Sequence, residues 1–161
     1  MAWVWSFSGL LTSILLTDSV RCVRGGGDGE EPSEPGVVPA NQYSEIASGK
    51  IQDNYTGLVW QELQSEMLIP RADAVAYCSS LTLGGKSWRM PSPGELSTLH
   101  DEARVRPALN ADVFPDTEYN PVGAYWAFQS FDGRDASFVL DFSDGHMDVR
   151  SDGEAWVKCV R

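Results

Sequence analysis

Three cysteines, two histidines and a run of carboxylates carry the chemistry of this 161-residue chain. Cys22, Cys78 and Cys159 allow at most one pair within the chain and leave one thiol over. His100 and His146 have no Cys, His or carboxylate neighbour at the spacing of a zinc ligand set, so no zinc is expected. A Gly-x-Ser-x-Gly elbow, a phosphate loop and a dinucleotide fingerprint are all missing. Gly25-Gly26-Gly27-Asp28-Gly29 lacks a flanking strand and helix and reads as linker glycine. From Asp132 to Glu154 the chain sets Asp132, Asp135, Asp141, Asp144, Asp148, Asp152 and Glu154 against only Arg134 and Arg150. Clustered oxygens of this kind can hold calcium, the one cofactor kept as an alternative. The preferred reading is plainer, since alternating acids in hairpins form the solvated faces of strands. No catalytic set emerges, and the chain is expected not to be an enzyme.

What remains is recognition. Trp126, Phe128 and Phe131, with Asp132 and Arg134 beside them, are the candidate ligand face, because aromatic side chains offer rigid contact area. Strand alternation sends some of those rings into the core instead. Charge narrows the partner. Twelve Lys and Arg against 23 Asp and Glu give a net charge of -11, which opposes the counterion release that drives nucleic-acid binding. The same repulsion disfavours anionic membranes and sulfated sugars. A surface glycan or a protein is the expected ligand, with no nucleic acid and no membrane insertion.

Several local signals define the elements that must position these residues. Ile51 to Gln61 reads as two short strands around a turn, with Asp53, Asn54, Thr56 and Gly57 supplying the turn. After Pro70, the spacing of Ala74, Val75, Cys78 and Leu81 predicts an amphipathic helix over 71–81 with Cys78 on its buried face. Ser92-Pro93-Gly94-Glu95 is a capping box with proline at the first helical position, so a second helix begins at Pro93 and turns Leu96 and Leu99 inward. His100 falls near its end. Residues 103–124 are loop-rich, with Leu109, Val113 and Phe114 as plugs into the core. Tyr125–Phe128, Ser137–Phe142, Met147–Arg150 and Ala155–Val160 read as strands, with Asp144-Gly145 as a hairpin turn. Trp60 and Trp88 are assigned to packing. Strands, two helices, a loop region and more strands make an α+β domain.

The amino-terminal run Met1 to Thr17 is apolar but has no Lys or Arg ahead of its core, which makes a poor signal peptide, and it falls short of a bilayer span. An internal echo fits better. Phe7-Ser8-Gly9 followed by Val20-Arg21-Cys22-Val23-Arg24 matches Phe142-Ser143-Asp144-Gly145 followed by Val157-Lys158-Cys159-Val160-Arg161. Residues 1–24 are therefore read as the end of a preceding copy of the same domain, with a signal segment as the alternative. Residues 25–41, carrying Asp28, Glu30, Glu31 and Glu34 and no cation, read as a disordered linker, and the domain proper spans 42–161. Asn54-Tyr55-Thr56 is a formal glycosylation sequon, meaningful only in a glycosylating secretory route.

Thr56-Gly57-Leu58-Val59-Trp60-Gln61, Ala74 to Leu81, Trp88-Arg89-Met90-Pro91-Ser92-Pro93-Gly94-Glu95-Leu96, Phe114-Pro115, Tyr125-Trp126 and Val157 to Arg161 resemble the bacterial Lcl C-terminal domain family over about residues 51–161. Met90 and Ser92 stand where that family usually has Leu and Thr, substitutions that keep the apolar fill and the cap. The resemblance implies a C-type-lectin-like fold, two helices packed on short antiparallel sheets. It also implies a distant likeness to formylglycine-generating enzymes through the Arg-x-Pro-Ser/Thr-x-x-Glu helix start. The family occurs in secreted and surface proteins, often as tandem copies, and its adhesin member binds sulfated glycans, a ligand not carried over to so acidic a chain. The calcium motifs of sugar-binding C-type lectins, Glu-Pro-Asn and Trp-Asn-Asp, are missing, and Glu118-Tyr119-Asn120-Pro121 does not match them.

Lectin-like folds often tie a helix to the last strand, so a Cys78–Cys159 disulfide is the favoured pairing, with two buried thiols as the alternative. Such a bridge would contribute on the order of 4 kcal/mol by chain entropy, and Cys22 would be the counterpart of Cys159 in the preceding copy. The bridge implies an extracellular, cell-surface or periplasmic site. The function expected is a non-enzymatic binding or adhesion module. A formylglycine-type enzyme and a structural spacer repeat are the alternatives.

Overall fold

The computed structural model describes residues 41–85, 87–119, 123–132 and 134–161, and of Phe131 the backbone alone. These residues fall in one compact unit, Glu34–Arg161; the other unit, Met1–Ser33, lies outside the described residues. The readings of 1–24 as an upstream copy and of 25–41 as a linker lie outside them too, Asn41 apart.

Asp53 builds the first turn. Its Oδ1 accepts from the amides of Tyr55 (2.9 Å) and Thr56 (3.4 Å), and Gly57 takes the positive φ of 75° that closes the loop. The expected hairpin follows as β2 (Lys50–Asp53) and β3 (Val59–Gln61), which put Ile51 opposite Trp60. A further strand, β1 (Tyr43–Ala47), pairs with β2; four of its five residues are exposed, so no apolar alternation announced it.

Helix α1 (Arg71–Ser80) follows the short strand β4 (Ile69–Pro70) and ends one residue before the predicted Leu81, which is extended. It buries Ala74 and Cys78, whereas Val75, expected on the same face, is 47% exposed. One residue turns about 100° around a helix, and the core contacts a narrower stripe than the periodicity allowed. Helix α2 (Pro93–Ser97) starts as expected and is only five residues long; Leu96 and Leu99 are buried, and His100 lies in the turn beyond it.

Three antiparallel strands follow, β5 (Ala124–Phe131), β6 (Arg134–Asp141) and β7 (His146–Val149), in that spatial order. The β5–β6 pair is longer than predicted because its outer end, from Ser130 to Asp135, has Phe131 as its single apolar side chain and so carries no apolar alternation. Gly145 turns β6 into β7 with φ 80° and leaves no room for a Cβ beneath the His100 ring. The last expected strand is mostly irregular. Only β8 (Glu154–Ala155) pairs regularly, with β4, while Trp156 bridges Tyr125 and Val160 bridges both Trp60 and Arg89. This closing segment spreads its hydrogen bonds over several neighbours, which is why it packs like a strand without being one.

Among the described residues the fold is α+β, with two α-helices and three small antiparallel sheets. Tyr125 and Trp126 leave opposite faces of β5 and enter different cores. One core gathers Trp60, Leu96, Leu99, Leu109, Phe114, Tyr125 and Phe142; the other gathers Cys78, Trp88, Met90, Trp126, Val157 and Cys159. Leu109 and Phe114 are the plugs the loop region was expected to supply, and Val113 is partly buried.

Candidate functional site

The helix-start motif is a closed set of bonds. Arg89 sends Nη1 and Nη2 to the two carboxylate oxygens of Glu95 at 2.8 and 2.6 Å. Glu95 Oε2 also accepts from the Ser92 amide (2.8 Å) and hydroxyl (2.9 Å), while the Glu95 amide donates back to Ser92 Oγ at 3.3 Å. The Arg89 hydrogen bond, followed by those from Ser92, pulls the Glu95 carboxyl down to about 2. Arg89 in turn exchanges backbone hydrogen bonds with Val160, both 2.9 Å. A carboxylate so fully engaged holds the helix start against the chain end and has little left to offer a substrate.

Cys78 and Cys159 form the expected disulfide, with Cα atoms 5.5 Å apart across 81 residues of sequence. Both are fully buried, and Met90 Sδ lies 3.6 Å from Cys78 Sγ. The two-thiol alternative is thereby set aside, and Cys22 lies outside the described residues.

The sequence reading missed Lys158, the most unusual ionisable group of the described region. It sits fully buried in the run Val157–Val160, its Nζ donating to the Glu62 carbonyl at 2.6 Å, 4.8 Å from the Phe114 ring centroid and 3.8 Å from Asp116 Oδ1. Burial lowers its pKa to about 8, against the opposing pull of Asp116 and Glu62. Asp116 Oδ2 accepts from the Gln64 amide at 2.6 Å, and Gln64 Oε1 accepts from Tyr125 OH and the Glu118 amide. These groups pin residues 62–64 to 116–118. A lysine flanked by apolar residues on both sides, matched by Arg21 in the internal echo, was the available signal.

Of the five residues of the expected ligand face, the structure places Trp126 and Phe128 apart from Asp132 and Arg134. Trp126 is 1% exposed and spends its indole N–H on the Ile69 carbonyl at 2.8 Å, because its face of β5 is covered by α1. Phe128 is half-buried on the same face. Asp132 and Arg134 are exposed at the far turn of the β5–β6 arm, roughly 13 Å along the strand from Phe128 at about 3.3 Å per residue. The side chain of Phe131 lies outside the described part.

Trp126 and Phe128 do line a narrow cleft with a cavity volume of only about 10 Å³, whose other walls come from Arg71, Ala74, Val75, Met90, Ala127 and Ser137. Arg71 Nε donates to Ser137 Oγ at 2.7 Å, joining α1 to β6. A more open hollow lies at Val59, Gly85, Ser87 and Arg161, where the Arg161 guanidinium stands 5.1 Å from the Trp88 ring centroid.

The acidic run serves its own turns. Asp141 Oδ1 accepts from the Ser143 amide at 2.8 Å, Asp144 Oδ1 from the His146 amide at 2.9 Å, and Asp148 lies 3.5 Å from His146 Nε2. Among the described residues no three His, Cys, Asp or Glu side chains converge on one point.

Small sheets, two helices, a bridge from α1 to the closing segment and an Arg–Glu-locked capping box define a disulfide-tied α+β domain. The chain belongs to the Lcl C-terminal domain family, whose model matches residues 49–161. No curated protein and no solved structure matches it.

Proposed function

We propose that this domain is a non-enzymatic binding or adhesion module of a bacterial surface or secreted protein, with a surface glycan or a protein as its ligand. The observation that carries the reading is that the reactive groups of the family motifs are consumed by the fold. Arg89, Ser92 and Glu95 bond one another, and Cys78 and Cys159 bond one another. A formylglycine-type enzyme needs a dedicated cysteine pair for oxygen chemistry, and the pair here is buried and joined. A disulfide of this kind persists in oxidising compartments, which supports an extracellular, cell-surface or periplasmic site. No described helix is long and apolar enough to cross a membrane. The C-type-lectin-like frame belongs to the same proposal, supported by the bridge from helix to chain end and by two helices against small antiparallel sheets.

The test is binding of the purified, oxidised chain to a glycan array and to native envelope fractions, beside an assay for oxidation of a substrate cysteine to an aldehyde. Saturable binding without turnover is expected. Turnover would overturn the reading, and a chain that binds nothing on either surface would be a spacer.

A further inference from the structure

We infer that the hollow at Val59, Gly85, Ser87 and Arg161 binds an acidic segment of a protein partner, with Arg161 and Lys50 as its two cationic anchors. The inference rests on the binding-module reading and chooses a protein over a glycan at this site.

Charge marks the place first. The stretches 47–52, 57–61, 81–85, 87–90 and 155–161 meet there. They are joined by the β2–β3 pairing, by Trp88 Nε1 on the Leu83 carbonyl, and by backbone bonds of Val59, Gln61 and Arg89 to Arg161, Cys159 and Val160. In a chain with 23 Asp and Glu, none of these stretches contains one, whereas they carry Lys50, Arg89, Lys158 and Arg161. Arg89 and Lys158 are spent on Glu95 and Asp116. Lys50 and Arg161 pair with no Asp or Glu among the described residues. Exposed charges farther away than about 8 Å are screened at physiological salt, so the local sign, and not the net charge of the chain, meets a ligand.

Arg161 is held in place beforehand. Its backbone exchanges hydrogen bonds with Val59 at 3.0 and 2.9 Å, and its guanidinium stands 5.1 Å from the Trp88 ring centroid. Its Nη1 is buried and has no hydrogen-bond partner. An unpaired buried donor is costly, and a ligand oxygen that pairs with the guanidinium offsets that cost. Lys50 leaves β2 on the same side of the sheet as Val59, since Ile51 and Trp60 fill the other side. Its Nζ lies so near Gly84 that a Cβ there would stand 2.6 Å from it, which brings the ammonium to within one residue of the rim at Gly85.

The walls choose the class of ligand. At about 590 Å³ the hollow falls within the roughly 300–1,000 Å³ of ordinary ligand sites. Val59 is its apolar wall, and Ser87 is its one side-chain hydroxyl. A glutamate side chain matches both, its methylenes against Val59 and its carboxylate on the Arg161 guanidinium and the Ser87 hydroxyl. Lys50 takes a second carboxylate from a neighbouring residue. A sugar ring fits less well. Its hydroxyls need acceptors as well as donors, and Trp88, only 2% exposed beneath the guanidinium, offers no stacking face.

The experiment is an NMR titration of the full oxidised chain with acetyl-Gly-Glu-Glu-Gly-amide, with its Gln-Gln counterpart, and with trigalacturonate as an acidic sugar. The Glu peptide should shift the backbone signals of Val59, Gly85 and Ser87 and the Nε signal of Arg161, and should bind more weakly as salt is raised. The Gln peptide should bind about tenfold more weakly or worse. Arg161→Gln should weaken the Glu peptide by about tenfold, and Lys50→Gln by several-fold. The Gln peptide needs no mutation, so the test survives a variant that folds poorly. Silence of those signals at millimolar peptide, equal binding of the two peptides, or tighter binding of trigalacturonate than of the Glu peptide overturns the inference. If the hollow is silent while the chain still binds envelope fractions, only the hollow's ligand falls; a responsive hollow on a chain that turns over a substrate cysteine would sink the binding-module reading alone.

Discussion

Arg89 and Arg71 stand at the starts of two helix-bearing segments, and the fold treats them in opposite ways. Arg89 lies with its fork on Glu95, in a motif whose donors and acceptors satisfy one another. Arg71 spends one nitrogen on Ser137 and leaves its outer edge without a partner among the described residues. The first arrangement lowers the free energy of the folded chain and is insensitive to what lies outside it. The second ties α1 to β6 through a single bond and leaves its outer edge to solvent. Residues that make a family recognisable can thus be those that hold its frame most tightly.

The frame side of this contrast predicts losses of stability, and the bridge should give the largest. Cys78→Ala or Cys159→Ala should cost about 4 kcal/mol, since the bridge closes an 81-residue loop; guanidinium unfolding of oxidised wild type and variant measures it. A cost under about 1 kcal/mol would mean the frame does not depend on the bridge.

Lys158→Met should cost about 3 kcal/mol, because Asp116 loses its cation and the Glu62 carbonyl its donor. The lysine also predicts an unusual pH dependence. Its folded pKa of about 8 lies below the ordinary value of 10.5, so above pH 8 the unfolded chain binds more protons than the folded one. Wild-type stability relative to Lys158→Met should therefore rise from about pH 8 towards 10, and that component is lost as the pH falls through 8. Tyr43 and Tyr125, which burial pushes above the ordinary tyrosine range, oppose it only past about pH 10, where the unfolded tyrosines ionise. Urea unfolding at a series of pH values reads the difference, and parallel curves for the two proteins would contradict it.

A smaller effect is expected at Glu95. Its pKa is lowered to about 2 from the ordinary 4.5, so its stabilisation is present above about pH 4.5 and is lost as the pH falls through 2. Glu95→Gln should cost about 1 kcal/mol near neutrality, the scale of a lost cap, and should flatten the acid limb of the stability curve. The smallest change belongs to the other arginine: Arg71→Gln should cost about 0.5 kcal/mol, the low end for the hydrogen bond to Ser137 that it loses.

Much of the frame could be read locally. Ser92 to Glu95 is a cap written within four residues, and Gly57 and Gly145 mark turns that need positive φ. The bridge and the core plugs Leu109 and Phe114 followed from residue type and the family resemblance. Other features were illegible for physical reasons. Strand β1 is exposed and has no alternation to betray it. Lys158 was hidden by the habit of placing charges outside, although its apolar neighbours pointed inward. The Arg71–Ser137 pair spans 66 residues of sequence, and only the packing of α1 on β6 brings it together. The spread of the expected ligand face was hidden because a strand carries its pleat and length into space: Trp126 lies in the core and Asp132 at a distant turn.

The central claim is that the residues of the family motif hold the frame and do not act on a substrate, and a single paired measurement reaches it. Wild type and Glu95→Gln should each be assayed for binding to native envelope fractions and for unfolding free energy in the same buffer. Glu95→Gln is expected to bind like wild type while losing about 1 kcal/mol of stability. Loss of binding in Glu95→Gln while it remains folded and as stable as wild type would contradict the account.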